Sequence, residues 1–125
     1  SAIIEGLEID LDSIFNNFVA NSIASLITTD EPCKAIKIFM KADHDIIVID
    51  FLDNGNGLAE EYRENPDVIF NAFETSVVNQ NGEKIGTGMG LFIVQGIISK
   101  YPDADVSVLK IEKGFGIRVV FKIKK

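Results

Sequence analysis

The stretch "FGIRVVFKIK" constrains the chain most, because Phe115, Ile117, Val119, Phe121 and Ile123 recur at every second position without a break. A period of two gathers all five side chains on one face of a strand, whereas a helix would scatter them around its circumference. This element therefore needs a core on one side only. The preceding "ADVSVLKI", followed by a turn at Glu112 to Gly114, supplies an antiparallel partner.

A second hairpin is expected from "KAIKIFMKA" and "DIIVIDFLD", which are separated by the polar pair "DH". The latter run is apolar on both faces, as in a central strand covered on two sides. At the start of the chain "AIIEGLEI" reads as an edge strand. From Asp12 to about Thr28 the period changes: Ile14, Phe15, Phe18, Val19, Ile23, Leu26 and Ile27 recur at helical spacing. Asp10 or Asp12 is placed to cap that helix, and "TTDEP" ends it with turn chemistry and a proline.

Short helical pieces follow "DNGNG", around Ala59 to Arg63 and Pro66 to Phe73. The polar stretch "ETSVVNQNGEKIG" has neither period and reads as a mobile loop. One more helix is expected from about Met89 to Tyr101. About three helices and five strands, joined by hairpins rather than alternating crossovers, make an α/β (α+β) two-layer sandwich the expected fold. Its sheet would be mixed and mostly antiparallel, with about three helices on one face.

The chain has 125 residues, enough for one compact domain covering 1–125. It begins at Ser1 rather than Met and its ends run into strand-like sequence, as in a domain cut from a longer protein. A net charge of −7 argues against a broad nucleic-acid surface, since phosphate contacts need clustered Lys and Arg. Cys33 and His44 are each the sole residue of their type, which excludes an internal disulfide and a Cys/His zinc cluster. The expected location is cytoplasmic, without membrane contact, because no apolar run has the length of a span and the start lacks signal-peptide regions.

Three segments carry the candidate chemistry. In "FLDNGNG" an apolar strand delivers Asp53 to a turn where Gly55 and Gly57 leave room for a flat ligand; the alternative is a plain Asn-Gly turn. It is no calcium loop, because the alternating ligands and the closing Glu are missing, and Glu60 occupies the last place of a G-x-G-x-x-G pattern. In "FNNFVANSIAS" Asn17 and Asn21 stand four residues apart, about 40° around a helix. Both point to one side, either as solvated amides or as neutral oxygen ligands of the kind Mg²⁺ accepts. In "KIGTGMGL" the glycines Gly86, Gly88 and Gly90 precede an apolar helix, an arrangement that lets backbone N–H groups and the helix dipole hold an anion. Neither the P-loop pattern nor the dinucleotide fingerprint is complete, the latter because Leu91 replaces its third glycine.

Taken in order, "NNFVANSIAS", "DNGNG", "IFNAFETS" and "GTGMGL" resemble the N-box, first glycine box, aromatic box and second glycine box of the Bergerat ATP-binding fold. That domain is shared by sensor histidine kinases, type II topoisomerases, mismatch-repair clamps and a large heat-shock chaperone. The resemblance implies ATP bound with Asp53 accepting from the adenine amino group and Asn21 holding Mg²⁺. It also implies Gly86, Thr87, Gly88, Met89, Gly90 and Leu91 around the phosphates, and a lid from Glu74 to Ile85. Phe70 and Phe73 of the aromatic box would anchor the lid or sit in the core.

Splitting ATPases of this superfamily carry a Glu four residues before the metal Asn, a general base for hydrolysis. Here the position is Asn17, as in many histidine kinases, which implies phosphoryl transfer to a protein histidine outside this chain. Two cations usual in the kinases are replaced, by Ala24 and Ser76, leaving Lys84 as the candidate substitute for phosphate charge. The alternatives are an ATP-gated clamp and a nucleotide-sensing interaction module without catalysis.

Overall fold

The computed structural model describes residues 2–71, 74, 77, 79–83, 85 and 90–122, with side chains from Leu7 onward. Helix α1 runs from Ala2 to Thr28. The segment "AIIEGLEI", expected as an edge strand, forms its first turns. The reason lies in packing: Leu7 and Leu11 lie against the core and continue the series Ile14 and Phe18 at spacings of four and three. Asp10 and Asp12 accordingly lie inside the helix and cap nothing. The Asp10 carboxylate instead accepts a hydrogen bond from the Tyr101 hydroxyl and one from Lys100 Nζ at 3.1 Å, tying α1 to the chain beyond the second helix.

The sheet contains β1 (Ile36–Ala42), β2 (Ile46–Asp53), β3 (Asp105–Val108) and β4 (Phe115–Lys122), in the order β1-β2-β4-β3. Every pairing is antiparallel, so among the described residues a four-stranded antiparallel sheet replaces the expected mixed one. Both hairpins form as anticipated and β2 is an interior strand, but it is buried on one face only rather than covered on two sides, with Ile46 exposed and Val48, Asp50 and Leu52 half-buried on the other. Its register with β4 sets Ile49 opposite Val119, Phe51 opposite Ile117 and Asp53 opposite Phe115, all buried on the inner face. On the outer face Arg118 makes a two-pronged contact with Asp50, at 2.8 and 2.9 Å.

Helix α2 covers Gly90–Ile98, shorter than the expected 89–101, and buries Leu91, Val94 and Ile98. Two 3₁₀ helices, Glu60–Tyr62 and Pro66–Phe70, take the place of the short helical pieces, so the described residues contain two α-helices rather than about three. Together α1, α2 and the inner face of the sheet enclose one core. The Phe18 ring lies 5.3 Å from Phe51 and 6.2 Å from Phe115, with the second pair stacked. Phe70 is a core aromatic, while Phe73 is outside the described residues. Phe15, Ile23 and Ile27, read as part of the helix's apolar stripe, are exposed.

No described helix is long and apolar enough to cross a membrane. His44 and Cys33 are both exposed.

Candidate nucleotide site

The site begins where β2 ends. Asp53 is only 6% exposed, and its carboxylate accepts a hydrogen bond from Ser22 Oγ of α1 at 2.6 Å and one from the Gly55 N–H at 2.9 Å. Burial pushes its pKa above the ordinary carboxylate value, against the pull of these donors and of the Phe115 N–H. A buried acid held by fixed donors keeps further lone pairs for a ligand.

The turn after Asp53 is fastened to α1. Asn56 donates through its backbone to Ser25 Oγ at 3.1 Å, and through its side chain to Ser25 O at 3.2 Å and Thr28 Oγ1 at 2.8 Å. Asn54 bridges in the opposite direction, accepting from the Ala35 N–H at 2.7 Å and donating to Cys33 O at 2.6 Å. The missing side chain at Gly55 admits α1, since a Cβ there would stand 2.5 Å from Ser25 Oγ. Gly114, at a φ of 88°, is tighter still: its Cβ would lie 1.9 Å from the Asp53 carbonyl oxygen.

The second half of the site is where α2 starts. Gly90 abuts the N-box, because a Cβ on it would lie 3.1 and 3.2 Å from the two ends of the Asn21 amide and 3.5 Å from Asn17 Oδ1. Asn17 donates its side-chain Nδ2–H to Ser13 O at 2.8 Å, which leaves its side-chain oxygen on the Gly90 side. Three of the four sequence motifs thus meet: Asp53 through Ser22 on α1, and the neighbouring Asn21, with Asn17 one turn before it, against the positive end of α2. Leu91 is buried in the core, so any phosphate contact it makes comes from its backbone. Lys84, Gly86, Thr87, Gly88 and Met89, and Ser76 with them, lie outside the described residues.

Within the expected lid, the described residues form a closed turn. The Asn79 side-chain oxygen accepts from the N–H groups of Asn81 and Glu83 at 2.9 and 3.0 Å, and the Ile85 N–H reaches Val77 O at 3.1 Å. Val77 is buried, and Glu74 accepts from the Tyr62 hydroxyl.

Ser22, Ser25 and Thr28 escaped the sequence reading. Their signal was hydroxyls at a spacing of three within "NSIASLIT", interrupting the apolar stripe on one side of α1. No group of three or more His, Cys, Asp or Glu residues stands together among the described residues, so a metal here would rely on neutral oxygens and on the ligand itself.

With this arrangement the chain belongs to the histidine kinase-, DNA gyrase B- and HSP90-like ATPase family, whose sequence model matches residues 6–125. Among characterised proteins it is similar to a probable C4-dicarboxylate sensor kinase of Halalkalibacterium halodurans, with 28% identity over 114 residues. That match takes in 91% of this chain and 19% of the relative's length. Among solved structures it is similar to the nucleotide-free catalytic domain of the histidine kinase ThkA, at 23% identity and a TM-score of 0.66, covering 91% of this chain and 67% of that one. The mycobacterial sensor histidine kinase MprB aligns at 20% identity and a TM-score of 0.57, over 88% of this chain and 70% of that one. These two likenesses concern the fold.

Proposed function

We propose that this chain is the ATP-binding catalytic domain of a sensor histidine kinase, working on the cytoplasmic side where ATP is found and delivering the γ-phosphoryl group to a histidine outside the chain. The observation that carries the reading is the packing of Gly90 at the start of α2 against Asn17 and Asn21, the second of which directly precedes the Ser22 that holds Asp53. An anion-favouring helix end, of α2, and a carboxylate able to read a base, at the end of β2, are then both held against α1.

In this reading Asp53 accepts from the adenine amino group, and its fixed hydrogen bonds hold the carboxylate in position before ligand arrives. Asn21 offers an amide oxygen to Mg²⁺, which when bound neutralises triphosphate charge. The positive end of α2 and the N–H groups of the glycine box hold the phosphates. Asn17 has no proton-accepting carboxylate to activate water, so the phosphorus is left to an incoming imidazole nitrogen, with ADP as the leaving group. Lys84 supplies the phosphate-neutralising cation that Ala24 and Ser76 do not. The phospho-acceptor domain belongs to another segment or to a partner.

Calorimetric titration of ATP with and without Mg²⁺ into the native domain, Asp53→Asn and Asn21→Ala tests the site. Metal-dependent binding lost in both variants supports it, and equal binding in all three overturns it. Transfer from labelled ATP to an acceptor-histidine domain tests the kinase reading, and Lys84→Ala with unaltered affinity and transfer would remove that residue from the assignment.

A further inference from the structure

A second concavity of about 730 Å³ opens between the "DNGNG" turn and the loop that joins β3 to β4. It adjoins the site above, sharing Gly55, Asn56 and Gly57 of that turn, while Asp53, Ser22, Asn17, Asn21 and Gly90 do not line it. Its volume lies within the range of small-molecule sites, roughly 300–1,000 Å³. Half-buried Leu58, Pro66, Leu109 and Ile111 give it apolar walls.

Its charge is opposite to that of the chain. Arg63, Lys110 and Lys113 line it against Glu112 alone, in a protein whose net charge is −7. Lys113 is engaged by Glu31, but Arg63 and Lys110 are exposed and form no ion pair among the described residues. Apolar walls with two uncommitted cations suit a ligand that has an apolar body and one anionic head.

The groove also touches the nucleotide site through backbone. Gly57 and Gly114 both line it, and a Cβ on Gly57 would meet the Gly114 carbonyl at 3.1 Å. Gly114 in turn packs on the Asp53 carbonyl, and its neighbour Phe115, also in the lining, donates its N–H to the Asp53 carboxylate. Both glycines have positive φ, 77° and 88°, so this crossing has little room to shift without moving Asp53.

We propose that the groove binds a small amphipathic anion and that its occupancy changes the affinity of the Asp53 site for nucleotide. The proposal is independent of which phosphoryl acceptor the domain serves, and needs only that Asp53 contacts the nucleotide.

The probe is 8-anilinonaphthalene-1-sulfonate, titrated by fluorescence into the whole chain at physiological salt. Single-site saturation is expected, weakened about tenfold in Arg63→Ala/Lys110→Ala, both exposed positions. It should persist in Asp53→Asn, and saturating probe should shift the Kd for ATP in the native domain. Displacement by octanoate or by octyl phosphate identifies a carboxylate or a phosphate as the preferred head. Absent or unsaturable binding, an unchanged Kd in the double variant, failure of both competitors, or loss in Asp53→Asn overturns the assignment. An unmoved ATP affinity overturns the coupling. Failure of ATP itself to bind, with probe binding intact, would sink the nucleotide reading and leave the groove standing.

Discussion

The hydrogen bond from Ser22 to Asp53 can be removed with little else disturbed. Ser22 is 1% exposed, and Ser22→Ala deletes one oxygen without adding bulk, leaving one carboxylate oxygen short of its 2.6 Å donor. Losing a hydrogen bond to an ionised group costs about 1.5–3 kcal/mol. With an unfolding entropy of about 2.1 cal/mol/K per residue, a chain of this length should lose about 6–11 °C in Tm. The donor favours the charged form, so the Asp53 pKa, already raised by burial, rises further in the variant. The bond's contribution is present while Asp53 is ionised and is lost as pH falls through its folded pKa. The gap between native and variant should therefore be widest near pH 8 and narrow towards pH 4. The carboxyl's own effect has the opposite sign: because burial lifts its folded pKa above the ordinary 3.8, native protein binds that proton more tightly and stability declines as pH rises through that window. Thermal unfolding followed by circular dichroism across this range measures both. A gap that is independent of pH, or below about 0.5 kcal/mol, would refute the claim that Ser22 supports a charged Asp53.

Three further substitutions separate stability from binding. Asp53→Asn removes a buried charge while its amide can still meet Ser22 and Gly55, so Tm at pH 7 should not fall, whereas calorimetry should show ATP affinity reduced at least about tenfold by the donor placed where an acceptor is needed. Gly90→Ala puts a methyl 3.1–3.2 Å from the Asn21 amide, and the loss of ATP affinity should be larger with Mg²⁺ than without it. Tyr101→Phe removes the hydrogen bond that most lowers the Asp10 pKa, and should cost about 1 kcal/mol at pH 7 in denaturant titrations. That difference should shrink as pH falls below 3.8, where the depressed native-state carboxyl at last protonates and the bond's advantage to folding is lost.

The strands were legible from apolar runs set apart by short polar turns. Phe115, Ile117, Val119 and Phe121 alternate in the sequence and are all buried, and the doubly apolar run from Ile46 is the interior strand β2, though the sheet buries only one of its faces. The start of the chain was not legible, because two periods coincide there. Leu7, Ile9 and Leu11 alternate with Glu8, Asp10 and Asp12 as a strand would, yet Leu7 and Leu11 are also one helical turn apart. The helix is continuous with Ile14 and Phe18, and the misfit falls on Ile9, left 69% exposed. The same limit applies to Phe15, Ile23 and Ile27: spacing identifies an apolar flank, and only the sheet order shows which flank has something to pack on.

The motifs were legible as motifs, but the division of labour inside them was not. Asn54 and Asn56 look like ligand residues beside Asp53, and both are spent on clamping the turn to α1 and to the Cys33–Ala35 segment. Gly55 likewise gives space to Ser25 of α1, since a Cβ there would stand 2.5 Å from its hydroxyl and 3.2 Å from Asp53 Oδ1. In the proposed reading, recognition by this turn rests on one carboxylate, and the hydroxyls of Ser22 and Ser25, which read as fillers in an apolar helix, determine where it stands. A single acceptor with two oxygens fixed by donors at 2.6 and 2.9 Å can read one N–H and little more. If Asp53 reads the base as proposed, discrimination among nucleotides comes from the orientation of that one contact, and a substitution that tilts Asp53 should relax base preference before it abolishes binding.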